Sequence, residues 1–419
     1  MSRTIAEKIL AKHAGKSDVT PGEIVEAEVD YVMVNDVTGL PAFEVFEKFN
    51  TNPIKEKIVL IPDHYVPNKD IASAEQALAM RHFAKKYNIP NYFEVGRSGV
   101  CHQLMIEEGF SAPGRLIVGA DSHTCSYGAL GALSTGIGSS EAASVMALGK
   151  LWFKVPETQK FTVDGTLKKY VMGKDIILHI IGDIGVDGAL YKSMEFYGTA
   201  IEALSLSDRI SIANMAIEAG GKCGIIPPDE SVFDYLKDKV RGTYSAVYAD
   251  KSAEYVDEFN YDAKDIVPTV AKPFLPENTA PASEVDVEID QAYLGSCTNG
   301  RIEDLRVAAK IIKGKKVHPN VRMIVVPASK RVFEQAIDEG LIKIFMDADA
   351  YVAGPTCGAC LGGYMGVLAY GEKCISSTNR NFIGRMGHKG SEVYLANPAV
   401  VAASAIFGRI CDPNELGVR

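Results

Sequence analysis

The chain has 419 residues, 47% hydrophobic and 23% charged, which is room for two to four domains at roughly 150 residues each and too apolar for a disordered chain. Its 44 basic and 53 acidic residues leave a net charge of −9 with no acidic or basic block, so nothing recommends a nucleic-acid partner. No uninterrupted apolar stretch nears the ~18 residues of a membrane helix. The segment Ser2–Leu10 is polar and amphipathic without a signal-peptide core, so membrane and secreted classes are excluded and a cytoplasmic location is expected.

In chain order, a first helix opens at the capping box Thr4-x-x-Glu7, aligns Ile5, Ile9 and Leu10 on one face and stops at Gly15. Short apolar runs then alternate with helical patterns. Strands are predicted at 58–61, 116–118, 292–294, 323–326, 351–353 and 374–376, and helices at 71–86, 140–153, 200–219, 302–312 and 330–339. This alternation predicts a layered α/β architecture with largely parallel pairing. Val155–Gln159 reads as a surface link, and 268–283, with four prolines, as a linker. The breaks predict three α/β domains, 1–156, 157–285 and 286–419.

Several strands lead straight into polar groups: Asp63-His64 after the strand at 58, Asp121-Ser122-His123 after that at 116, Gly295-Ser296-Cys297 after that at 292, and Cys357-x-x-Cys360 after that at 351. In open α/β sheets ligands bind at the carboxyl ends of strands, so these tips are candidates for one cleft.

Eight cysteines are too few for a disulfide scaffold of this length. Two residues between Cys357 and Cys360 let both thiolates face one metal from a tight turn, a spacing shared by redox dithiols, zinc sites and iron–sulfur sites. Cys297, between a strand and a helix start, sits where thiolate is favoured. Three thiolates are one short of a closed four-cysteine cluster and would leave one iron open to substrate, which Lewis-acid catalysis requires. A zinc site with three cysteines and one histidine is the rival, without the compact finger-like spacing. Cys101, Cys125, Cys223, Cys374 and Cys411 read as small buried thiols.

His64, His102 and His123 are the histidines in suggestive company, the first and last beside carboxylates that can set charge and orientation for proton transfer. Arg380 and Arg385 lie on a Gly- and Asn-rich loop with Phe382 between them, and arginine suits bidentate capture of carboxylates. Gly136-Ile-Gly138-Ser-Ser-Glu141 lacks the last glycine of a dinucleotide fingerprint and reads as a tight turn into a helix.

Together the segments Asp63-His-Tyr-Val-Pro, Gly99-Val-Cys-His-Gln, Gly119-Ala-Asp-Ser-His-Thr, Gly295-Ser-Cys-Thr-Asn-Gly, Gly354-Pro-Thr-Cys-Gly-Ala-Cys and Asn379-Arg-Asn-Phe-Ile-Gly-Arg, in that order, resemble the aconitase superfamily. Within it the resemblance is to large subunits of the 3-isopropylmalate dehydratase and homoaconitase group, over about residues 5 to 415. It implies three α/β/α domains around a cluster cleft. It also implies a 4Fe–4S cluster on Cys297, Cys357 and Cys360 with one open iron.

As implied roles, Asn379, Arg380 and Arg385 grip substrate carboxylates, and Asp63 and His64 protonate the departing hydroxyl. His102 and Glu195 form a supporting pair, while Asp121, Ser122 and His123 line the pocket. Asn35 and Asp36 match an early active-site segment, with Asn35 replacing the usual glutamine or histidine. Tyr127 and Tyr364 stand where relatives often carry histidine. Full-length aconitases carry a further carboxyl-terminal domain, which two-subunit relatives carry as a small subunit. The resemblance therefore implies a chain that needs such a partner, in a higher hetero-oligomer, acting on a small di- or tricarboxylate.

The implied activity is a hydro-lyase isomerising a 2-hydroxy dicarboxylate, of the 3-isopropylmalate type in leucine synthesis. Homoaconitase, 2,3-dimethylmalate dehydratase and maleate or citraconate hydratase stay open. Readings of another class are an iron-sensing RNA-binding protein and a zinc-stabilised interaction protein.

Overall fold

The computed structural model describes residues 2–417. The chain separates into two compact units. The first runs up to Asp164 and adds Ala189–Glu202 and Ile212–Tyr261; the second takes Gly165–Gly188, Ala203–Ser211 and the described residues from Asp262 on.

In the first unit a five-stranded, all-parallel sheet has the order Asn91–Tyr92, Ile58–Ile61, Tyr31–Asn35, Leu116–Gly119, Leu133–Gly136. Parallel strands buried on both faces need continuous apolar runs, and Ile58–Ile61 and Leu116–Gly119 are buried throughout. Val32, Val34, Ile58, Leu60, Leu116 and Val118 share one core with Phe43, Phe46, Met80 and Phe83 from the helices Asp36–Lys48 and Ile71–Tyr87. The register pairs Asn35 with Ile61 and Met33 with Gly119. The carboxyl ends of three neighbouring strands are thereby level, and Asn35-Asp36, Asp63-His64 and Asp121-Ser122-His123 leave the sheet side by side. A four-stranded sheet, Cys223–Ile225, Ser193–Tyr197, Thr158–Asp164 and Asp257–Asp262, belongs to the same unit up to Tyr261.

The second unit holds a seven-stranded sheet of order Thr279–Pro281, Thr269–Ala271, Glu392–Ala396, Lys373–Ser376, Gln291–Leu294, Arg322–Val325, Tyr351–Val352. Its last five strands are parallel and the first two add as an antiparallel pair. Leu305, Ala308 and Ile312 of the helix Ile302–Ile312 share a core with Val400, Val401 and Ala403 of the helix Pro398–Phe407. The α/β class with parallel sheets is as expected. We propose that the three larger sheets mark three folding segments near the division at 156 and 285, although the chain packs as two compact units.

Four local expectations are corrected. The helix expected over 140–153 is Ser139–Leu148; Gly149 ends it in the left-handed conformation, and Lys150–Lys154 is a strand paired with Ile24–Glu28. The helix expected over 200–219 is broken into Thr199–Glu202, Leu206–Met215 and a 3₁₀ turn Ala216–Ala219. The surface link expected at Val155–Gln159 is buried except for Glu157, and Thr158 opens the strand Thr158–Asp164. The proline-rich 268–283 is no linker: it carries the two antiparallel strands, with Pro273 and Pro276 in the turn between them and Pro281 ending the outermost strand, where no ladder hydrogen bond is lost.

Candidate active site

Each unit carries its own constellation. In the first, Asp36 is buried at the start of its helix, and its carboxylate accepts from the backbone N–H of Asp63 (3.0 Å), His64 (2.9 Å) and Tyr65 (2.8 Å). Asp36, expected to contact substrate, is thus spent on shaping the Asp63–Tyr65 segment. Asp36, Asp63 and His64 lie close enough to suggest a cation site, but those three backbone donors and the Cys101 N–H on Asp63 Oδ2 (2.7 Å) occupy the carboxylates. Asn35 caps the same helix, accepting from Val37 and Thr38 N–H, and its Nδ2 donates to Asp121 Oδ2 at 3.3 Å.

Asp63 holds His64, with Oδ1 2.6 Å from Nδ1. Asp36 Oδ1 lies 3.8 Å from the same nitrogen and Asp121 Oδ2 3.9 Å from Nε2. Burial alone would lower the His64 pKa, but the charge and hydrogen bond of Asp63, then the charges of Asp36 and Asp121, outweigh it and raise it to about 10. His64 is therefore an imidazolium at neutral pH.

Asp121 organises the rest. Its Oδ1 meets His102 Nε2 at 2.8 Å and accepts the His123 N–H at 2.9 Å. Burial opposes its ionisation, yet the charges of His102, His123 and His64 and the His102 hydrogen bond hold it well below the usual carboxylate range. His102 Nδ1 reaches Tyr127 Oη at 3.0 Å, and His123 Nε2 reaches Glu218 Oε1 at 2.8 Å. Ser122 begins the 3₁₀ turn Ser122–Leu130.

The supporting pair implied for His102 and Glu195 is not formed. Glu195 is buried in the strand Ser193–Tyr197, where it accepts from the Ile5 N–H (2.8 Å), Tyr197 Oη (2.6 Å) and Tyr255 Oη (3.2 Å), and burial raises its pKa against those bonds. It fastens the first helix to the sheet, and the glutamate beside a histidine of the constellation is Glu218.

In the second unit Cys297, Cys357 and Cys360 are all buried and in no disulfide. Ser296, with φ +80°, forces the turn between strand and helical turn that presents Cys297, a left-handed conformation costly for a residue with a Cβ. Its Oγ lies 3.7 Å from Cys297 Sγ and 3.5 Å from Cys360 Sγ. Asn379 bridges the same sulfurs: Nδ2 donates to Cys297 Sγ (3.4 Å) and Thr298 Oγ1 (2.9 Å), and Oδ1 lies 3.7 Å from Cys360 Sγ. Tyr293 Oη donates to the Cys357 carbonyl at 3.1 Å and packs on Gly358, whose φ of +63° and missing Cβ leave room for that ring.

Arg301 anchors the Cys297 turn from behind, donating from Nη1 to the Cys297 carbonyl and from Nη2 to the Thr298 carbonyl, both at 2.6 Å. Arg380 and Arg385 follow Asn379, half-buried, with the Arg385 guanidinium 5.5 Å from the Phe382 ring centre. A Cβ on Gly362 would lie 2.6 Å from the Arg385 carbonyl, so the cysteine loop and the arginine loop back directly onto one another. Polar groups of Ser296 and Asn379 are thus turned on the sulfurs of Cys297 and Cys360. The other five cysteines are buried and in no disulfide, as expected.

A model of the aconitase family (aconitate hydratase) matches residues 7–286 and 279–408. The chain belongs to the aconitase family. It is 56% identical over 421 residues to a 3-isopropylmalate dehydratase large subunit of Thermodesulfovibrio yellowstonii, covering 100% of both chains. It is 56% identical to another of that name from Halothermothrix orenii, covering 99% of this chain and 100% of that one. In fold it is similar to the crystal structure of Thermococcus kodakaraensis aconitase X in its holo-form, with TM-score 0.52, 13% identity, and coverage of 98% of this chain and 94% of that one.

Three residues of the two constellations escaped the sequence reading. Glu218 lies in Ala216–Ala219, and its cue is a lone carboxylate among small residues before Gly220-Gly221. Arg301 directly follows Gly300 of the Cys297 motif, but nothing in the sequence says that it is buried. Tyr127, read only as a departure from relatives, turns out to be the partner of His102.

Proposed function

We propose that this chain is the large subunit of a hydro-lyase that isomerises a 2-hydroxy dicarboxylate by removing and readding water, of the 3-isopropylmalate dehydratase type. The observation that carries the reading is the 56% identity to large subunits of that name over their whole length. The buried thiol set bridged by Asn379 and Ser296 supports it. The name of those relatives speaks for a separate small subunit, and a cytoplasmic location fits a chain in which no described helix is long and apolar enough to cross a membrane.

In this reading Cys297, Cys357 and Cys360 hold a 4Fe–4S cluster. Such a cluster would supply Lewis-acid chemistry toward the substrate hydroxyl. This chain's own residues bind the substrate and move the proton of its hydroxyl, while the base that takes the carbon-bound proton and returns it on rehydration would come from the small subunit. Arg380 and Arg385 take the substrate carboxylates, since a guanidinium matches a carboxylate in two parallel hydrogen bonds. Asn379 orients the Cys297 and Cys360 sulfurs.

His64, kept protonated by Asp63, Asp36 and Asp121, gives its proton to the hydroxyl as it departs and recovers it from water on rehydration. Asp121 stays ionised to orient His102 and His123, and Ser122 lines the pocket. Glu218 fixes His123, while Asn35 and Asp36 hold the His64 segment in place.

Metal and sulfide analysis of protein purified without oxygen tests the reading. Iron and sulfide in equal amounts, with a three-iron paramagnetic signal after mild oxidation, is the expected result. Zinc without sulfide, even after reconstitution with iron, overturns it and leaves the cysteines structural.

A further inference from the structure

One buried ionisable group has no part in the account above. Lys174 is the second residue of the helix Gly173–Ile184 and is 0% exposed, where an unpaired ammonium is rare. Its Nζ donates to the carbonyl of Ser377 at 2.7 Å and to that of Thr378. Those carbonyls immediately precede Asn379 and Arg380. Ser377 is also tied to the Cys297 turn, its Oγ accepting the Gly295 N–H at 3.0 Å.

We propose that Lys174 is a positioning residue: its ammonium pins the segment 377–380, holding Asn379 against the sulfurs of Cys297 and Cys360, and its charge offsets that of the thiolate-held cluster. The proposal rests on the iron–sulfur reading above. A lysine is the economical side chain for both tasks. Its four-carbon stem fills apolar space, and its head offers donors to carbonyls.

Taking an ammonium out of water costs several kcal/mol unless oppositely charged or dipolar groups surround it. Here burial lowers the Lys174 pKa to about 7, while the charges of Cys360, Asp175, Asp304 and Cys297 act to keep it charged. Asp175 beside it is not the partner of the ammonium, because its carboxylate accepts from the N–H of Met172 (2.7 Å) and Thr269 (2.8 Å) and from Asn397 Nδ2 (2.6 Å). Of the charges that favour the ammonium, that of Cys360 is the largest, and the hydrogen bonds of Nζ go to the Ser377 and Thr378 carbonyls.

The test compares wild type with Lys174→Met, which keeps the stem but loses charge and donors, and Lys174→Gln, which keeps a donor without the charge. Hydrogen exchange of the metal-free chain should show loss of protection confined to about residues 377–385 in Lys174→Met and smaller loss in Lys174→Gln. After reconstitution to equal iron and sulfide, both variants should show a cluster midpoint potential shifted to more negative values, and kcat/KM should fall at least tenfold. A purely structural lysine would not move the potential. Unchanged exchange in 377–385 overturns the pinning role, and an unchanged potential in a folded, loaded Lys174→Gln overturns the charge role. A wild-type chain that takes up no iron and sulfide refutes the iron–sulfur reading instead, and the exchange measurement still decides the pinning role.

Discussion

His64 gives the most quantitative prediction. Its Nδ1 is 2.6 Å from Asp63 and its ring faces two further carboxylates at 3.8 and 3.9 Å. The rise from an ordinary histidine value of 6.5 to about 10 is on the order of 5 kcal/mol in favour of the imidazolium, at ~1.4 kcal/mol per pKa unit. Asp63→Asn keeps the shape of the side chain and removes the nearest charge. A hydrogen bond to a charged group is worth about 1.5–3 kcal/mol, so the variant should titrate about 1–2 units lower. The same charge also bears on stability. Because the folded pKa lies above the unfolded one, the stabilisation is fully present below about pH 6.5 and is lost as pH rises through about 10. The assay is a pH titration of isotope-labelled histidine by NMR, with the His64 signal assigned from a His64→Asn control. A wild-type midpoint near 6.5, or an identical midpoint in Asp63→Asn, would refute the charge argument.

Other substitutions probe the neighbouring groups. Arg385→Lys should raise KM at least tenfold with the cluster intact, since an ammonium cannot reproduce a two-point grip; normal steady-state kinetics would contradict that grip. Glu218→Gln weakens the charge-assisted contact to His123 and should lower kcat about tenfold without changing thermal stability by more than a few degrees, checked by kinetics and calorimetry. Gly358→Ala places a Cβ against the Tyr293 hydroxyl at φ +63°, and the left-handed backbone alone costs about 1–2 kcal/mol. A lowered denaturation midpoint and reduced iron content are expected, with Gly358→Ala/Tyr293→Phe recovering part of both.

How far the sequence could be read depended on whether the information was local. Apolar runs of strand length before Asp63, Asp121 and Cys297 are local signals, and the level strand ends in the first unit follow from them. Cys357-x-x-Cys360 is local too. The helix expected through Phe153 went wrong because a single left-handed glycine, Gly149, outweighed a continuing apolar pattern. The prolines of 268–283 read as a linker because proline is shared by loops and edge strands, and only the sheet tells them apart. Glu195 and Glu218 illustrate the non-local limit. Nothing short of the fold shows that one braces the first helix while the other meets His123. Lys174 and Arg301 were missed for the same reason: a cation's burial depends on what packs over it.

The central claim, that this chain is the cluster-bearing half of a hydro-lyase, is met most directly by one assay. Chain reconstituted with iron and sulfide is mixed with the small subunit of one of its 3-isopropylmalate dehydratase relatives, and formation of the unsaturated product from 3-isopropylmalate is followed by ultraviolet absorbance. Turnover that requires both subunits and disappears in Cys360→Ser is the predicted result. Full turnover by the chain alone, or none from a loaded chain that has assembled with the small subunit, would contradict it.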